Sequence, residues 1–192
     1  MNIAILTGSN REASTSTRLA ETLGWILQEK GHRVERMDLY RTPLPFYSPE
    51  GLAEGKDNVA ELKRMMREAD GIILATPEYH GSMSGVLKNA LDHLGKEHFS
   101  GKPVLAVSSS GGAVGVSSLQ QIQAVVRNLH GINCPDWLSI GGAHRQWFDP
   151  AREPGEIRAP EIEDRIRFVL DTFLRLGGLL RGREEIPQAA EA

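Results

Sequence analysis

The chain alternates between two patterns of apolar residues. Runs of consecutive apolar positions predict β-strands, and these runs fall at 3–6, 34–39, 71–75, 103–108 and 132–140. Because the runs are continuous, the predicted strands are buried on both faces of a sheet. Between the runs, apolar residues recur every three or four positions, which is typical of amphipathic helices.

Five helices are predicted between and after these strands. In the first, Leu19, Leu23 and Ile26 share one face before Gly31, a typical helix end. The second is predicted at 59–68, the third from Met83 to Leu94 with Ser82 as its cap, the fourth at 119–129, and the last begins near 162. This alternation predicts a doubly wound parallel sheet with helices on both faces, a three-layer αβα arrangement.

No internal repeat divides the chain, so residues 1–180 are predicted to form one domain. Residues 181–192 are rich in Ala and Glu and are predicted as a polar tail. Two segments lack a regular pattern: 41–58, which contains three prolines and two glycines, and 143–160. Both are predicted as long loops.

Composition narrows the classes of function. The 192 residues carry a net charge of −3, which argues against a nucleic-acid partner, since such a partner requires a basic face. Cys134 is the single cysteine, so neither an intramolecular disulfide nor a cysteine metal cluster is expected. His93 and His98 lie five positions apart and do not share a helical face, so no metal site is predicted. The first apolar run lacks the basic flank of a signal peptide, and no run approaches the ~20 residues that span a bilayer, which predicts a cytoplasmic protein without membrane contact.

The turn after the first strand has the groups of an anion site. A helix begins there, and its first N–H groups lack intrahelical partners and carry partial positive charge. Hydroxyls of Ser9, Ser14, Ser16 and Thr17 add donors, and Arg11 adds a cation. This set favours a terminal phosphate. The alternative is that Ser14 or Ser16 only caps the helix and Arg11 is solvated.

The turns after the third and fourth strands suit a flat ring. In a parallel sheet, ligands bind outside the carboxyl ends of the strands. The first of these turns exposes backbone groups that can bond a planar heterocycle, and the second is made of small residues that let the backbone approach a ligand. The candidate residues are Pro77, Glu78, Tyr79, His80, Gly81 and Ser82 in one turn, and Ser110, Gly111 and Gly112 in the other.

Together these motifs resemble one known family. Gly8-Ser9-x-Arg11, the 77–82 segment and Leu87-Lys88-Asn89-Ala90-Leu91-Asp92 are similar to the NADPH-dependent FMN reductases, which include azo-dye, quinone and chromate reductases. The resemblance extends from residue 1 to about 176. It implies a flavodoxin-like fold with the strand order 2-1-3-4-5.

The resemblance also implies a function. It implies that Ser9, Arg11, Ser16 and Thr17 hold the FMN phosphate, and that 77–82 and 110–112 hold the isoalloxazine. NADPH or NADH would reduce FMN by hydride transfer, and a small acceptor would then take the electrons in a ping-pong cycle. The acceptor could be a flavin, quinone, azo compound or metal oxyanion, and the family is commonly dimeric or tetrameric. Ser16 stands where Asn is frequent in the family, and His80 is a possible modulator of the flavin.

Two other interpretations stay open. A flavodoxin-type electron carrier would share the fold and cofactor without nicotinamide chemistry, but such carriers typically flank the flavin with aromatic residues, and Tyr79 is the one aromatic residue in the two ring turns. A non-catalytic module that binds a phosphate-bearing ligand is the second alternative. Trp147 and Phe148 are candidates to cover the flavin of their own or a neighbouring subunit. Trp137 and Cys134 are expected to be packing residues.

Overall fold

Strands and helices alternate along the chain as the apolar pattern predicts. The computed structural model describes residues 1–51, 55–152 and 156–182. The strands are β1 (Asn2–Thr7), β2 (Arg33–Asp38), β3 (Gly71–Tyr79), β4 (Ser82–Met83), β5 (Pro103–Ser109), β6 (Ile132–Asn133) and β7 (Leu138–Ile140). The helices are α1 (Thr15–Glu29), α2 (Lys56–Glu68), α3 (Gly85–Asp92), α4 (Lys96–Phe99), α5 (Val116–Asn128) and α6 (Pro160–Arg181). Most of the predicted tail, 183–192, lies outside the described residues.

The sheet has the predicted doubly wound order. Its strands run β2, β1, β3 and β5, and both β6 and β7 pair with the outer side of β5. The predicted order 2-1-3-4-5 is therefore confirmed, with β5 as the fourth strand. The prediction of one continuous fifth strand at 132–140 is wrong, because it divides into two short strands on either side of Pro135. Proline has no N–H to donate to a strand ladder.

Successive apolar side chains of the strands point to opposite faces of the sheet, where each face packs into its own hydrophobic core. On one face, Ile5 and Ile73 pack with apolar residues of α1 and α6. On the other face, Leu6 and Leu74 pack with residues of α2, α3 and α5. Each strand is thus buried on both sides, which explains why its sequence is apolar throughout rather than alternating.

The third strand is longer than predicted and folds back on itself. β3 continues to Tyr79, and β4 returns antiparallel to it, with Tyr79 opposite Ser82. The two turn residues, His80 and Gly81, have positive φ angles of 53° and 70°, as a tight two-residue hairpin turn requires. The chain therefore reverses at residues that were predicted to lead into a helix.

The start of α3 is consequently later than predicted. The helix begins at Gly85, and the Ser84 side chain caps it by accepting a hydrogen bond of 3.0 Å from the Leu87 N–H. The prediction of Ser82 as the cap and of Met83 as a helical residue is wrong, because both belong to β4. A serine does cap the helix, as predicted, but it is Ser84 rather than Ser82.

The segment after β7 is partly ordered into a 3₁₀ helix, Gly142–Phe148, rather than the predicted long loop. Phe148 is 3% exposed and belongs to the core beneath α1 and α6. It therefore does not cover a ligand, and that prediction is wrong. Trp147 packs against the same core, with the Arg152 guanidinium 4.8 Å from the centre of its ring.

No helix among the described residues is long and apolar enough to cross a bilayer.

The packing roles expected for two other residues are confirmed. Trp137 is partly buried against the core beneath α2, α3 and α5. Cys134 is 2% exposed, and burial raises the pKa of its thiol above the usual value. A thiol of raised pKa forms little of the reactive thiolate at neutral pH.

Candidate functional site

A cleft opens at the carboxyl ends of β1, β3 and β5. In a doubly wound sheet, this edge is where ligands bind. Ten residues line the cleft: Arg11, Ser14, Thr15, Pro77, Glu78, Tyr79, Ser109, Ser110, Gly111 and Arg145. The cleft thus brings together the three turns that sequence analysis singled out, and it adds the 3₁₀ helix after β7.

The loop between β1 and α1 is held by its own hydroxyl groups. Ser14 is the N-cap of α1, and its Oγ accepts a hydrogen bond of 3.2 Å from the Thr17 N–H. The same oxygen lies 3.0 Å from Ser16 Oγ and 3.0 Å from Thr17 Oγ1. Ser9 Oγ accepts from the Arg11 N–H at 3.1 Å. These hydroxyls are buried, and their bonds join residues that are two or three positions apart.

The groups left over in this loop suit an anion. Ser14 satisfies the Thr17 N–H, whereas the N–H groups of Thr15 and Ser16 have no partner among the described residues. The Arg11 side chain is exposed, and no ion pair to another described residue is recorded for it. The Thr15 N–H, at a helix N-terminus, and the Arg11 guanidinium therefore belong to residues that line one end of the cleft.

The structure confirms the helix cap at Ser14, and the anion site stays a prediction. The cap leaves other donors free for a ligand. The predicted phosphate contacts of Ser9, Ser16 and Thr17 remain predictions, because these three hydroxyls lie behind the cleft surface rather than on it.

The other end of the cleft lies between the β3–β4 hairpin and the loop after β5. The places where Cβ atoms of Gly111 and Gly112 would lie have no other heavy atom within 4 Å, so this stretch of backbone is open to a ligand. Tyr79 is 42% exposed, and its hydroxyl donates to Asn10 Oδ1 at 3.4 Å. This end therefore offers backbone polar groups and one aromatic ring, which suits a flat ligand.

These two ends match the two ends of a flavin mononucleotide, a terminal phosphate and a flat ring. The sequence profile of the NADPH-dependent FMN reductases matches residues 1–145. The chain belongs to the NADPH-dependent FMN reductase family. It is an oxidoreductase that uses FMN and takes electrons from NAD(P)H.

Named relatives and solved structures agree with this family assignment. An FMN-dependent NADPH-azoreductase of Staphylococcus saprophyticus is 36% identical over 171 residues, which cover 84% of this chain and 91% of the relative. The FMN-dependent NADPH-azoreductase of Staphylococcus aureus is 39% identical over 139 residues, 70% of this chain and 74% of the relative. The flavoenzyme NAD(P)H:(acceptor) oxidoreductase FerB of Paracoccus denitrificans superposes with a TM-score of 0.74 at 22% identity, covering 92% of this chain and 97% of FerB. An archaeal flavodoxin superposes with a TM-score of 0.61 at 17% identity, covering 92% and 99%. These last two likenesses concern the fold, and they confirm the flavodoxin-like architecture.

Three cleft residues were not predicted as site residues: Thr15 and Ser109, which adjoin predicted ones in the chain, and Arg145, which does not. Arg145 lies in the 3₁₀ helix, in a segment predicted to be a loop, and it lines the cleft with Arg11. Neither guanidinium has a recorded ion pair with a described residue. The position of 143–160, after the last strand at the ligand-binding edge of the sheet, indicated that this segment lies near the cleft. The sequence of a loop does not indicate which of its side chains points into the cleft.

Four predicted ring residues lie beside the cleft rather than in its lining: Gly112, which follows the lining residue Gly111, and three residues of the hairpin. His80 and Gly81 form the exposed hairpin turn, and Ser82 begins the return strand. Their contacts to a ring and the modulating role of His80 remain predictions. Among the described residues, no three His, Cys, Asp or Glu side chains come together in a way that could hold a metal ion.

Proposed function

We propose that this protein is an NAD(P)H-dependent reductase that passes electrons through FMN to a small acceptor in a ping-pong cycle. The observation that carries the proposal is the two-ended cleft, with two arginines that form no ion pair to a described residue at one end and open glycine backbone at the other. When bound between these two ends, FMN would supply the hydride- and electron-transfer chemistry.

Different residues of the cleft would bind the phosphate and the ring of FMN. Arg11, with the N–H groups of Thr15 and Ser16, would bind the phosphate, and Arg145 would add a second positive charge. The backbone from Pro77 to Ser82 and from Ser110 to Gly112 would hold the ring edge. No side chain is required as a nucleophile, so the role of the protein is to orient the ring and to leave one face open.

The surroundings of the cleft favour a planar aromatic acceptor, such as an azo compound or a quinone. Tyr79 separates the cleft from a second pocket, which is lined largely by apolar side chains that include Tyr40, Leu44, Phe46 and Val86. Apolar and aromatic walls bind flat organic molecules better than they bind metal oxyanions. The named relatives, both FMN-dependent NADPH-azoreductases, support the same class.

The same surface supports a homodimer or a homotetramer. Phe46 is 89% exposed and Tyr47 is 49% exposed, and large exposed apolar side chains that cluster on a surface are typical of interaction sites. Light scattering of the purified protein over a range of concentrations gives the mass directly. A monomer at every concentration would contradict this part of the proposal.

The test of the proposed function is a sequence of additions without oxygen. We expect purified protein, after incubation with FMN, to show flavin absorbance, and either NADPH or NADH to bleach it. After the nicotinamide is removed by gel filtration, an azo dye should restore the flavin absorbance while losing its own colour.

Each step has an outcome that contradicts one part of the proposal. A protein that takes up no FMN would contradict FMN-dependent reduction altogether. Bound flavin that neither nicotinamide bleaches would instead indicate an electron carrier. Dye reduction that requires nicotinamide and dye together would rule out the ping-pong order.

A further inference from the structure

Glu78 lines the cleft, yet its carboxylate is directed to a helix. Its Oε2 accepts a hydrogen bond of 2.9 Å from the Ser118 N–H, in the first turn of α5. That helix begins after Gly115, which has no side chain to cap it, and its first turn contains no acidic residue. Glu78 therefore supplies from β3 the acceptor and the negative charge that a helix N-terminus favours.

Gln121 makes a second connection one turn further along α5. Its Oε1 accepts a hydrogen bond of 2.6 Å from Ser82 Oγ, and its Nε2 donates to the Gly81 carbonyl oxygen at 3.2 Å. One side-chain amide thus holds both the turn and the return strand of the β3–β4 hairpin. The hairpin is attached to α5 at both of its strands.

The loop after β5 ends at Gly115, the residue before the first turn of α5. Gly115 donates its N–H to Ser139 Oγ at 2.7 Å, and its carbonyl oxygen accepts from Ser108 Oγ at 2.9 Å. A Cβ atom at position 115 would lie 2.9 Å from Ser108 Oγ and 3.3 Å from Glu78 Oε2, so a side chain there would require the Ser108 hydroxyl to shift. The two sides of the gap between the hairpin and the loop therefore share one anchor, the first turn of α5.

From this arrangement we propose that Glu78 and Gln121 are positioning residues, which set the width of the gap that holds the flavin ring by tying the hairpin to α5. The proposal rests on the proposed function for the identity of the ring, but the tie itself is a property of the chain without FMN. Glu78 is not assigned proton transfer, because its Oε2 already accepts from the helix.

The experiment compares Glu78→Ala, Glu78→Gln and Gln121→Ala with the wild type. Gln120→Ala is the matched control, because Gln120 is an exposed glutamine on the same helix whose side chain forms no hydrogen bond with another described residue. Hydrogen exchange of the FMN-free proteins is measured across 79–83, 111–115 and 8–17. FMN dissociation constants are measured by the quenching of flavin fluorescence.

We expect exchange at 79–83 and 111–115 to become at least tenfold faster in Glu78→Ala, with no change at 8–17. The dissociation constant of FMN should rise about tenfold in Glu78→Ala and about threefold in Gln121→Ala. Glu78→Gln keeps an acceptor oxygen and should recover most of both effects, and Gln120→Ala should match the wild type. If Glu78→Ala does not fold, Gln121→Ala still decides the matter, because its side chain lies on the surface.

Two results would overturn the proposal. Exchange at 79–83 that is unchanged in both Glu78→Ala and Gln121→Ala would mean that the tie does not hold the hairpin. Faster exchange with an unchanged FMN dissociation constant would mean that the tie does not set the ring gap. If the wild type binds no FMN, the proposed function fails and the ring-gap role with it, whereas the exchange data still decide whether the hairpin is tied to α5.

Discussion

The first loop, residues 8–17, and the hairpin, residues 77–83, face one cleft but are held in opposite ways. In the first loop, hydroxyl bonds such as those of Ser14 join residues two or three positions apart. In the hairpin, the side-chain bonds of Glu78 and Ser82 reach residues of α5 that lie 40 and 39 positions later. The first loop is thus held largely by its own residues, with Tyr79 and Ser84 bonding Asn10 and Gly8 from outside, whereas the hairpin takes its shape from another element. Substitutions should therefore separate phosphate binding from ring binding.

The largest effect is expected at Gly141, which packs against the loop after β5. A Cβ atom there would overlap the carbonyl oxygens of Gly112 and Ala113, which are backbone atoms and cannot rotate away. We expect Gly141→Ala to lower the free energy of unfolding by about 1–3 kcal/mol, as overpacking does, and to loosen 111–115 but not 8–17. Denaturant unfolding and hydrogen exchange measure the two effects. Gly178→Ala is the control, since its Cβ would meet no atom, and a similar loss there would contradict the explanation.

The next effect separates the phosphate from the ring. Arg11→Ala should raise the dissociation constant of FMN by about 10- to 100-fold, because a hydrogen bond to a charged group contributes about 1.5–3 kcal/mol. The affinity for riboflavin, which has the ring without the phosphate, should not change. Arg127→Ala, an exposed arginine at the far end of α5, is the control. An equal loss of riboflavin affinity in Arg11→Ala would show that the two ends of the cleft are coupled.

Ser84 is one point at which such coupling could arise, and the hydrogen bond from Tyr79 to Asn10 is another. The Ser84 hydroxyl caps α3 and donates to the carbonyl oxygen of Gly8 in the first loop. Ser84→Ala should lower the free energy of unfolding by about 1–2 kcal/mol, the usual effect of losing a helix cap, and should speed exchange in both regions. Ser82→Ala should lower the free energy of unfolding by less than half as much. A larger loss in Ser82→Ala than in Ser84→Ala would contradict the assignment of Ser84 as the cap.

The smallest effect lies outside both regions, at His98. This side chain is 1% exposed, and burial, opposed in part by its bond to the Gly95 backbone, lowers its pKa below 6.5. As pH falls below about 6.5, the unfolded chain binds a proton that the folded chain does not, so stability should decrease with acid. The slope for one proton is at most about 1.4 kcal/mol per pH unit. Denaturant unfolding between pH 7 and 5 measures it. The slope should be smaller in His98→Asn but unchanged in the exposed control His144→Gln, and no difference between the two would contradict the assignment.

Sequence patterns predicted the parts of this protein that depend on neighbours in the chain. The alternation of strands and helices and the capping role of Ser14 follow from periodicity and local hydrogen bonding, whereas the strand order came from the family resemblance. The hairpin was missed because its turn uses a histidine at positive φ, which composition does not reveal. The same is true of the inward position of Arg145 and of the bond from Glu78 to Ser118, since both depend on packing between distant segments.

The hairpin turn also restricts how the chain can change its length. Because Glu78 lies opposite Met83 and Tyr79 opposite Ser82, one added residue would shift the return strand by one step. Successive strand residues point to opposite faces, so such an insertion would exchange the buried Met83 with a polar neighbour. Single-residue insertions in related lineages should therefore be rare between Tyr79 and Ser82. They should collect instead in the irregular surface segment around 48–51, where no strand register has to be kept.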